Sequence, residues 1–354
     1  MGAGIAQVAL EAGDDVVLYD VDPTSISRAR DRVRDGLKRR AASMEMGAVT
    51  IDRWADVRLD RLRSAGTLQA LAGEAEIVIE AVIEDLELKR TIFRTLDATA
   101  ELDTILATNT SALSVAAIAT AAAHPQRVVG LHFFNPVPLM ALVEVVVTAS
   151  AAPACVERAE AVVGRWGRTT VRCADTPGFI VNRVNRPFTI QALRMLEDGE
   201  ASVDAIDEAM RAGGFPMGPF ALMDLVGIDV NLAAATAIWE GLARPDRLRP
   251  SPIQARLVAA GRLGRKTGSG FYRYVDGVPV GVEGDVAGPS TARLGPDVIR
   301  ERIVSSVADE GRYLVADGIA TAADIDLALR LGAGHPPRTT PGPGPATGAL
   351  RSVP

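Results

Sequence analysis

Apolar and polar residues alternate along the first half of the chain in blocks that predict strands and helices in turn. The helical pattern at residues 1–12 ends at Gly13, a residue typical of helix C-termini. Short apolar runs predict buried strands at residues 15–20, 76–82, 104–108 and 127–131. Strands that alternate with helices predict a parallel α/β sheet with helices on both faces.

The pattern changes in the second half of the chain. Strand patterns fade after residue 178, and helical patterns dominate residues 181–263. We therefore predict a boundary near residues 174–178 and an all-α domain after it. The predicted divisions are a Rossmann-type α/β domain at 1–175, a helical domain at 176–274, a partial repeat of that domain at 290–336 and a disordered tail at 337–354.

The partial repeat is visible as internal similarity. Residues 196–209 (LEDGEASVDAIDEA) and 315–328 (VADGIATAADIDLA) align without gaps. Each copy is a helix that ends at a glycine, followed by a second helix with a Ser or Thr cap, which indicates a duplicated module. The second copy stops after Pro336, where a Pro- and Gly-rich run predicts disorder.

Composition narrows the possible partners and compartments. The 354 residues carry 38 Lys and Arg against 44 Asp and Glu, a net charge of −6, which argues against nucleic acid or an anionic membrane as the main partner. No apolar run is long enough for a membrane span and no signal-peptide pattern is present, so we expect a soluble protein. The two cysteines provide no disulfide framework and no metal site, which favours the cytoplasm.

A nucleotide-binding pattern stands near the start of the chain. Gly2, Ala3 and Gly4 begin a helix, and the strand that follows ends at Asp20. This order matches the second half of a dinucleotide-binding βαβ unit, in which Asp20 would accept hydrogen bonds from the adenosine ribose and repel a 2′-phosphate. The pattern therefore favours NAD over NADP. On these residues alone, an Asp that merely ends a strand is the alternative.

A candidate acid–base pair follows in the chain. His132 comes at the end of a predicted buried strand, where open α/β sheets bind their ligands. Glu144 lies within the next apolar strand, LVEVV, where an ionised carboxylate needs a partner. A histidine is a suitable partner, because the carboxylate selects its tautomer and stabilises its protonated form.

Eight motifs in the same order resemble NAD-dependent L-3-hydroxyacyl-CoA dehydrogenases, and the resemblance extends to about residue 335. The motifs are MGAGIA at residues 1–6, Asp20, EAVIEDLELK at 80–89, NTS at 109–111, HFFNP at 132–136, PGFIVN at 177–182, FPMGPF at 215–220 and GRKTGSGFY at 264–272. The duplicated helical segment resembles the longer bacterial members, which are 3-hydroxybutyryl-CoA or 3-hydroxyadipyl-CoA dehydrogenases.

The resemblance implies a catalytic set for the reversible oxidation of (S)-3-hydroxyacyl-CoA by NAD. His132 would be the general base, and Glu144 would orient it. Ser111 and Asn182 would bind the substrate oxygen or the thioester carbonyl. From the residues alone, Ser111 could instead form a turn and Asn182 could cap a helix.

The resemblance also implies a set of cofactor-binding residues and a homodimer formed through the helical domain. Asp20 would hold the adenosine ribose, Glu84 and Lys89 the nicotinamide ribose, and Asn135 the nicotinamide end. A solvated helix position is the alternative for Lys89. The full set is Met1, Gly2, Asp20, Val82, Ile83, Glu84, Lys89, Asn109, Ser111 and Asn135.

The chain also departs from the family pattern. The family begins with a strand and a glycine turn before the position of Met1, so we expect an α/β sheet without its first strand. Two other functions stay open: a dehydrogenase of a non-CoA hydroxy acid, and a truncated non-catalytic relative that acts as a binding or structural protein. The arginines of residues 28–40 could meet the phosphates of coenzyme A or form a solvated helix face.

Overall fold

The computed structural model describes residues 1–286, 288 and 293–337. The chain divides into two compact units, Met1–Phe179 and Ile180–Pro354. The division falls beside the boundary that the sequence predicts. All but the first residue of the predicted tail at 337–354 lies outside the described residues.

The first unit is an α/β domain. Its helices are α1 (Gly2–Ala12), α2 (Pro23–Ser43), α3 (Ala48–Leu59), α4 (Leu68–Ala72), α5 (Leu86–Thr99), α6 (Val115–Ala119) and α7 (Pro153–Arg165). Its strands are β1 (Val16–Leu18), β2 (Leu62–Ser64), β3 (Ile77–Glu80), β4 (Ile105–Thr108), β5 (Val128–Phe133), β6 (Leu142–Val147) and β7 (Thr169–Ala174). As the sequence predicts, α1 ends at Gly13, which has a positive φ of 94°.

The strands form two sheets rather than one. Strand β1 pairs in parallel with β2, and a five-stranded sheet has the order β3-β4-β5-β6-β7. The second sheet is parallel except for β5 and β6, which are antiparallel. The segment between these two strands is too short for the crossover that a parallel pair requires. The prediction of a wholly parallel sheet is therefore corrected at this pair, while the Rossmann-type class is confirmed.

Helix α1 lies between two hydrophobic clusters of the first unit. Ile5 and Val8 pack with the five-stranded sheet and α7, whereas Ala6 and Leu10 pack with α2 and α3. Val16 of β1 contacts both clusters. The apolar faces of α1 thus place its N-terminus beside the sheet.

The second unit is mainly helical. Its helices are α8 (Val181–Val184), α9 (Arg186–Glu197), α10 (Val203–Ala212), α11 (Pro219–Val226), α12 (Ile228–Gly241), α13 (Pro252–Ala259), α14 (Pro296–Ala316) and α15 (Ala322–Ala333). An antiparallel hairpin of β8 (Tyr272–Val275) and β9 (Val278–Val282) lies between α13 and α14. The described part of this unit is thus helical with one hairpin, which corrects the all-α prediction.

The two repeat copies pack against each other within the second unit. A Cβ atom added to Gly214 would meet Pro336, and one added to Gly334 would meet Pro216, so a glycine and a proline of each copy face those of the other. The His335 ring lies 5.0 Å from that of Phe215, centroid to centroid. Such reciprocal contacts are typical of a two-fold interface, here formed inside one chain.

Within the described residues, no single helix has the length and apolarity of a membrane span. Helices α11 and α12 pass that test only as a pair, and they are bent by 102° relative to each other.

Candidate active site

The antiparallel pairing of β5 and β6 places His132 directly opposite Glu144. The His132 Nδ1 atom lies 2.6 Å from Glu144 Oε2, and the two residues are 4% and 0% exposed. An ionised carboxylate accepts the proton of Nδ1, so Nε2 carries the free lone pair. The structure thus brings together the pair that the sequence predicts, with its accepting nitrogen directed away from Glu144.

Ser111 occupies the accepting side of His132. Its Oγ lies 3.1 Å from Nε2 and can donate a hydrogen bond to it. Ser111 comes from the loop after β4, on the edge where the neighbouring strand β5 also ends. The aromatic rings of Phe134 and Phe179 pack beside the imidazole ring, with centroids 4.5 and 5.6 Å from its own. Glu144, His132 and Ser111 therefore form a continuous polar chain.

Glu84 holds the Ser111 loop in place. Its carboxylate accepts hydrogen bonds from the Ser111 backbone N–H at 2.7 Å and from the Thr110 hydroxyl at 2.9 and 3.0 Å. The sequence predicts Glu84 as a cofactor residue but gives no role to Thr110. One signal in the sequence could have identified Thr110. Its hydroxyl follows a buried strand and directly precedes a candidate site residue.

A buried ion pair supports the same loop. Glu80, at the end of β3, accepts hydrogen bonds from Lys89 Nζ at 2.8 and 2.9 Å, from Thr108 Oγ1 at 2.7 Å and from the Val82 backbone N–H at 2.6 Å. Lys89 is fully buried and also lies 3.7 Å from Glu84. A solvated position for Lys89 is therefore excluded, and its ammonium also donates a hydrogen bond directly to the Asn109 backbone oxygen of the loop at 3.2 Å.

Neither Glu80 nor Thr108 has a role in the site that the sequence predicts. Glu80 could have been found by the same signal as Glu144, a carboxylate within an apolar strand.

The two predicted asparagines of the first unit have different positions. Asn109 links the ends of β4 and β5, because its Oδ1 accepts the Phe133 backbone N–H at 3.0 Å. Asn135 is exposed just after β5. Asn135 is the more exposed of the two, so a ligand could reach it directly.

The other predicted cofactor residues follow the ends of parallel strands, where open α/β sheets bind ligands. Asp20 comes after β1, is exposed and accepts the Asp22 backbone N–H at 2.9 Å. Val82 and Ile83 come after β3 and are also exposed.

At the start of α1, Met1 is the N-cap without a side-chain cap, and the space around the Cα of Gly2 is open. An uncapped helix N-terminus with open space suits the pyrophosphate of a dinucleotide. These residues fit NAD.

Asn182 lies in the second unit, within α8. Ile180 is the N-cap of that helix and the cap has no side-chain hydrogen bond, so Asn182 does not cap it.

The basic helix α2 of the first unit has acidic neighbours. Its residues Arg28, Arg34 and Arg40 lie close to Asp22, Asp31 and Glu11, respectively. Among the described residues, no group of three or more His, Cys, Asp or Glu side chains could hold a metal ion.

Comparisons with known proteins point to one family. Residues 1–176 match the model of the 3-hydroxyacyl-CoA dehydrogenase NAD-binding domain, and residues 178–274 match that of the 3-hydroxyacyl-CoA dehydrogenase C-terminal domain. The chain is 45% identical over 275 residues to 3-hydroxyadipyl-CoA dehydrogenase of Escherichia coli, an alignment that covers 77% of this chain and 57% of the relative. It thus spans little more than half of that protein.

Two further relatives are covered almost entirely. The mitochondrial hydroxyacyl-coenzyme A dehydrogenase of Rattus norvegicus is 40% identical over 77% of this chain and 88% of its own length. The crystal structure of 3-hydroxybutyryl-CoA dehydrogenase from E. coli K12 has a TM-score of 0.84 and 34% identity, covering 94% of this chain and 86% of that one. The chain therefore belongs to the 3-hydroxyacyl-CoA dehydrogenase family, with an NAD-binding domain followed by the family's C-terminal domain.

Proposed function

We propose that this protein oxidises (S)-3-hydroxyacyl-CoA to 3-oxoacyl-CoA with NAD, reversibly, as in the β-oxidation of fatty or aromatic acids. The observation that carries the proposal is the polar chain from Glu144 through His132 to Ser111. A buried carboxylate, an imidazole with a free lone pair and a hydroxyl are the groups required to remove a proton from an alcohol.

Each member of the chain has a distinct part in the reaction. His132 Nε2 accepts the proton of the substrate 3-hydroxyl, and Glu144 stabilises the resulting imidazolium. Ser111 Oγ orients the substrate oxygen beside Nε2, and Asn182 binds the thioester carbonyl. When bound, NAD accepts the hydride from C3. In the reverse direction His132 returns the proton to the oxygen of the ketone.

The cofactor site follows from the residues at the strand ends. Met1 and Gly2 at the start of α1 contact the pyrophosphate, and Asp20 accepts hydrogen bonds from the adenosine ribose. The charge of Asp20 disfavours the 2′-phosphate of NADP. Glu84 binds the nicotinamide ribose, with Lys89 holding Glu84 in place. The cleft is completed by Val82, Ile83, Asn109, Ser111 and Asn135.

We also propose a homodimer formed through the helical domain. Leu225, Val226 and Val230 on α11 and α12 are about half exposed, at 50%, 49% and 51%. Clustered exposed apolar side chains are typical of contact surfaces. The surface between the two repeat copies is already covered within the chain, so a second chain requires a different surface such as this one.

We assign the protein to the cytoplasm. Cys155 and Cys173 are both buried thiols without a disulfide, which suits a reducing compartment. Neither nucleic acid nor membrane is proposed as a partner.

The decisive experiment is NADH oxidation by the purified chain with acetoacetyl-CoA, using His132→Ala as the blank. Turnover by the wild type, reduced by at least about 10²-fold in the variant, supports the proposal. Turnover of free hydroxy acids but not of acyl-CoA esters would assign a non-CoA dehydrogenase. The absence of any turnover from a cooperatively melting protein would assign a non-catalytic relative.

A further inference from the structure

Arg186, the first residue of α9, is a buried cation without a counter-ion. Its side chain is 7% exposed, and its Nε has no hydrogen-bond partner. No hydrogen bond or ion pair of its guanidinium is found within the part of the chain that the structure describes. The other two buried arginines of that part behave differently. Arg127 binds Asp97 at 2.9 Å, and Arg183 binds Glu310 at 2.9 Å.

The charge of Arg186 persists at neutral pH. Burial lowers the pKa of Arg186 to about 10, which still leaves the group protonated near pH 7. A buried charge without a partner is strongly unfavourable, so natural proteins pair it or use it to bind a ligand of opposite charge. An arginine fork is suited to a carboxylate or a phosphate, which it binds through two parallel hydrogen bonds.

The position of Arg186 relates it to the substrate. Asn182 lies four residues before it, and the intervening Asn185 keeps a right-handed helical backbone. Asn182 belongs to α8 and Arg186 begins α9, and four residues of chain span at most about 14 Å between Cα atoms. Under the proposed function Asn182 binds the thioester end of the acyl group. An anion at Arg186 would then be separated from the thioester by only a short acyl chain. The coenzyme A phosphates are at the other side of the thioester, at the far end of the long pantetheine arm.

We propose that Arg186 binds a carboxylate at the far end of the acyl chain, so that the enzyme prefers dicarboxylic 3-hydroxyacyl-CoA esters over monocarboxylic ones. This inference rests on the proposed function and adds a specificity residue to it. The carboxylate of the substrate provides the counter-ion that the described residues lack. An ester that ends in a methyl group leaves the guanidinium unpaired and binds less well.

The test compares two esters of equal chain length, 3-hydroxyadipyl-CoA and 3-hydroxyhexanoyl-CoA, which differ in a terminal carboxylate against a methyl group. We expect the wild type to favour the adipyl ester in kcat/KM. Arg186→Met should lower the ratio of the two kcat/KM values by about 10- to 100-fold, mainly through the KM of the adipyl ester. Arg186→Lys keeps the charge and should retain part of the preference.

Arg194→Met on the same helix is the matched control, because Arg194 already lies 3.6 Å from the Asp246 carboxylate. It should leave the ratio within about twofold of the wild type. An equal rise in KM for both esters in Arg186→Met would assign Arg186 to coenzyme A and overturn the inference. An unchanged ratio would also overturn it, while turnover of both esters would leave the proposed function standing. No turnover of either ester would overturn both.

Discussion

Buried carboxylates position the reactive side chains of the first unit. Glu144 fixes the tautomer of His132, and Glu80 neutralises Lys89 beneath the loop that carries Ser111. Both carboxylates lie within apolar strands, where an unpaired charge would be unstable. The motif pattern therefore revealed the His132–Glu144 pair, but the partner of Glu80 required the fold.

Glu144→Gln tests the positioning of His132. The amide keeps the shape of the side chain but can donate to Nδ1, which favours the tautomer that lacks a lone pair on Nε2. We expect kcat to fall by about 10²- to 10⁴-fold in steady-state assays with acetoacetyl-CoA. The exposed Glu157→Gln on α7 is the control and should keep wild-type kcat. A kcat near that of the control in Glu144→Gln would show that His132 does not depend on its carboxylate.

At the scale of elements, close packing fixes strand β5, which carries His132. Gly130 lies two residues before His132, and a Cβ there would stand 2.7 Å from Val146 Cβ and 2.8 Å from Val115 Cγ2. Real Cβ atoms do not approach this closely, so β5, β6 and α6 meet where only a glycine fits. The short distances show why this strand has a glycine within an otherwise bulky apolar run.

Gly130→Ala is therefore expected to destabilise the protein by about 1–3 kcal/mol, because the added methyl group must displace β6 or α6. Urea unfolding followed by circular dichroism measures the change. Gly164→Ala on α7 is the matched control, since nothing lies within 4 Å of its added methyl group. It should leave the stability unchanged or raise it by up to about 1 kcal/mol. Equal effects of the two substitutions would refute the packing argument.

At the scale of the whole molecule, the repeat copies are held together by an acid-sensitive contact. His335 is 5% exposed, its Nε2 lies 2.7 Å from Asn185 Oδ1, and its ring packs on Phe188 and Phe215. Burial lowers the pKa of His335 to about 4 from an ordinary value of 6.5. Between these two values the unfolded chain binds the proton and the folded chain does not. Stability is therefore lost as the pH falls through this window.

His335→Phe should remove this loss, because a phenyl ring does not titrate and can still pack on Phe188 and Phe215. Between about pH 7 and pH 4.5 the wild type should lose roughly 2–3 kcal/mol more of its unfolding free energy than the variant. Urea titrations at the two pH values give the difference. His124→Asn, at a half-exposed histidine of the first unit, is the control and should keep the wild-type loss. A loss in His335→Phe equal to that of the wild type would contradict this prediction.

The proposed homodimer is tested by its mass in solution. Light scattering on a size-exclusion column should give twice the chain mass of 37.2 kDa. Val226→Glu combined with Val230→Glu places two charges in the exposed apolar surface and should yield single chains, because burying unpaired charges in an interface is unfavourable. Val49→Glu, at an exposed valine of α3, is the control. A wild type with the mass of one chain would rule the dimer out.

Local patterns in the sequence were sufficient to predict the alternation of strands and helices, the helical second half, the repeat and the His132–Glu144 pair. These features depend on neighbours along the chain or on the periodic exposure of one face. The antiparallel direction of β6, the Glu80–Lys89 ion pair, the contact between the repeat copies and the unpaired Arg186 were decided by tertiary structure. Each depends on which distant side chains meet, and residue spacing along the chain does not specify this.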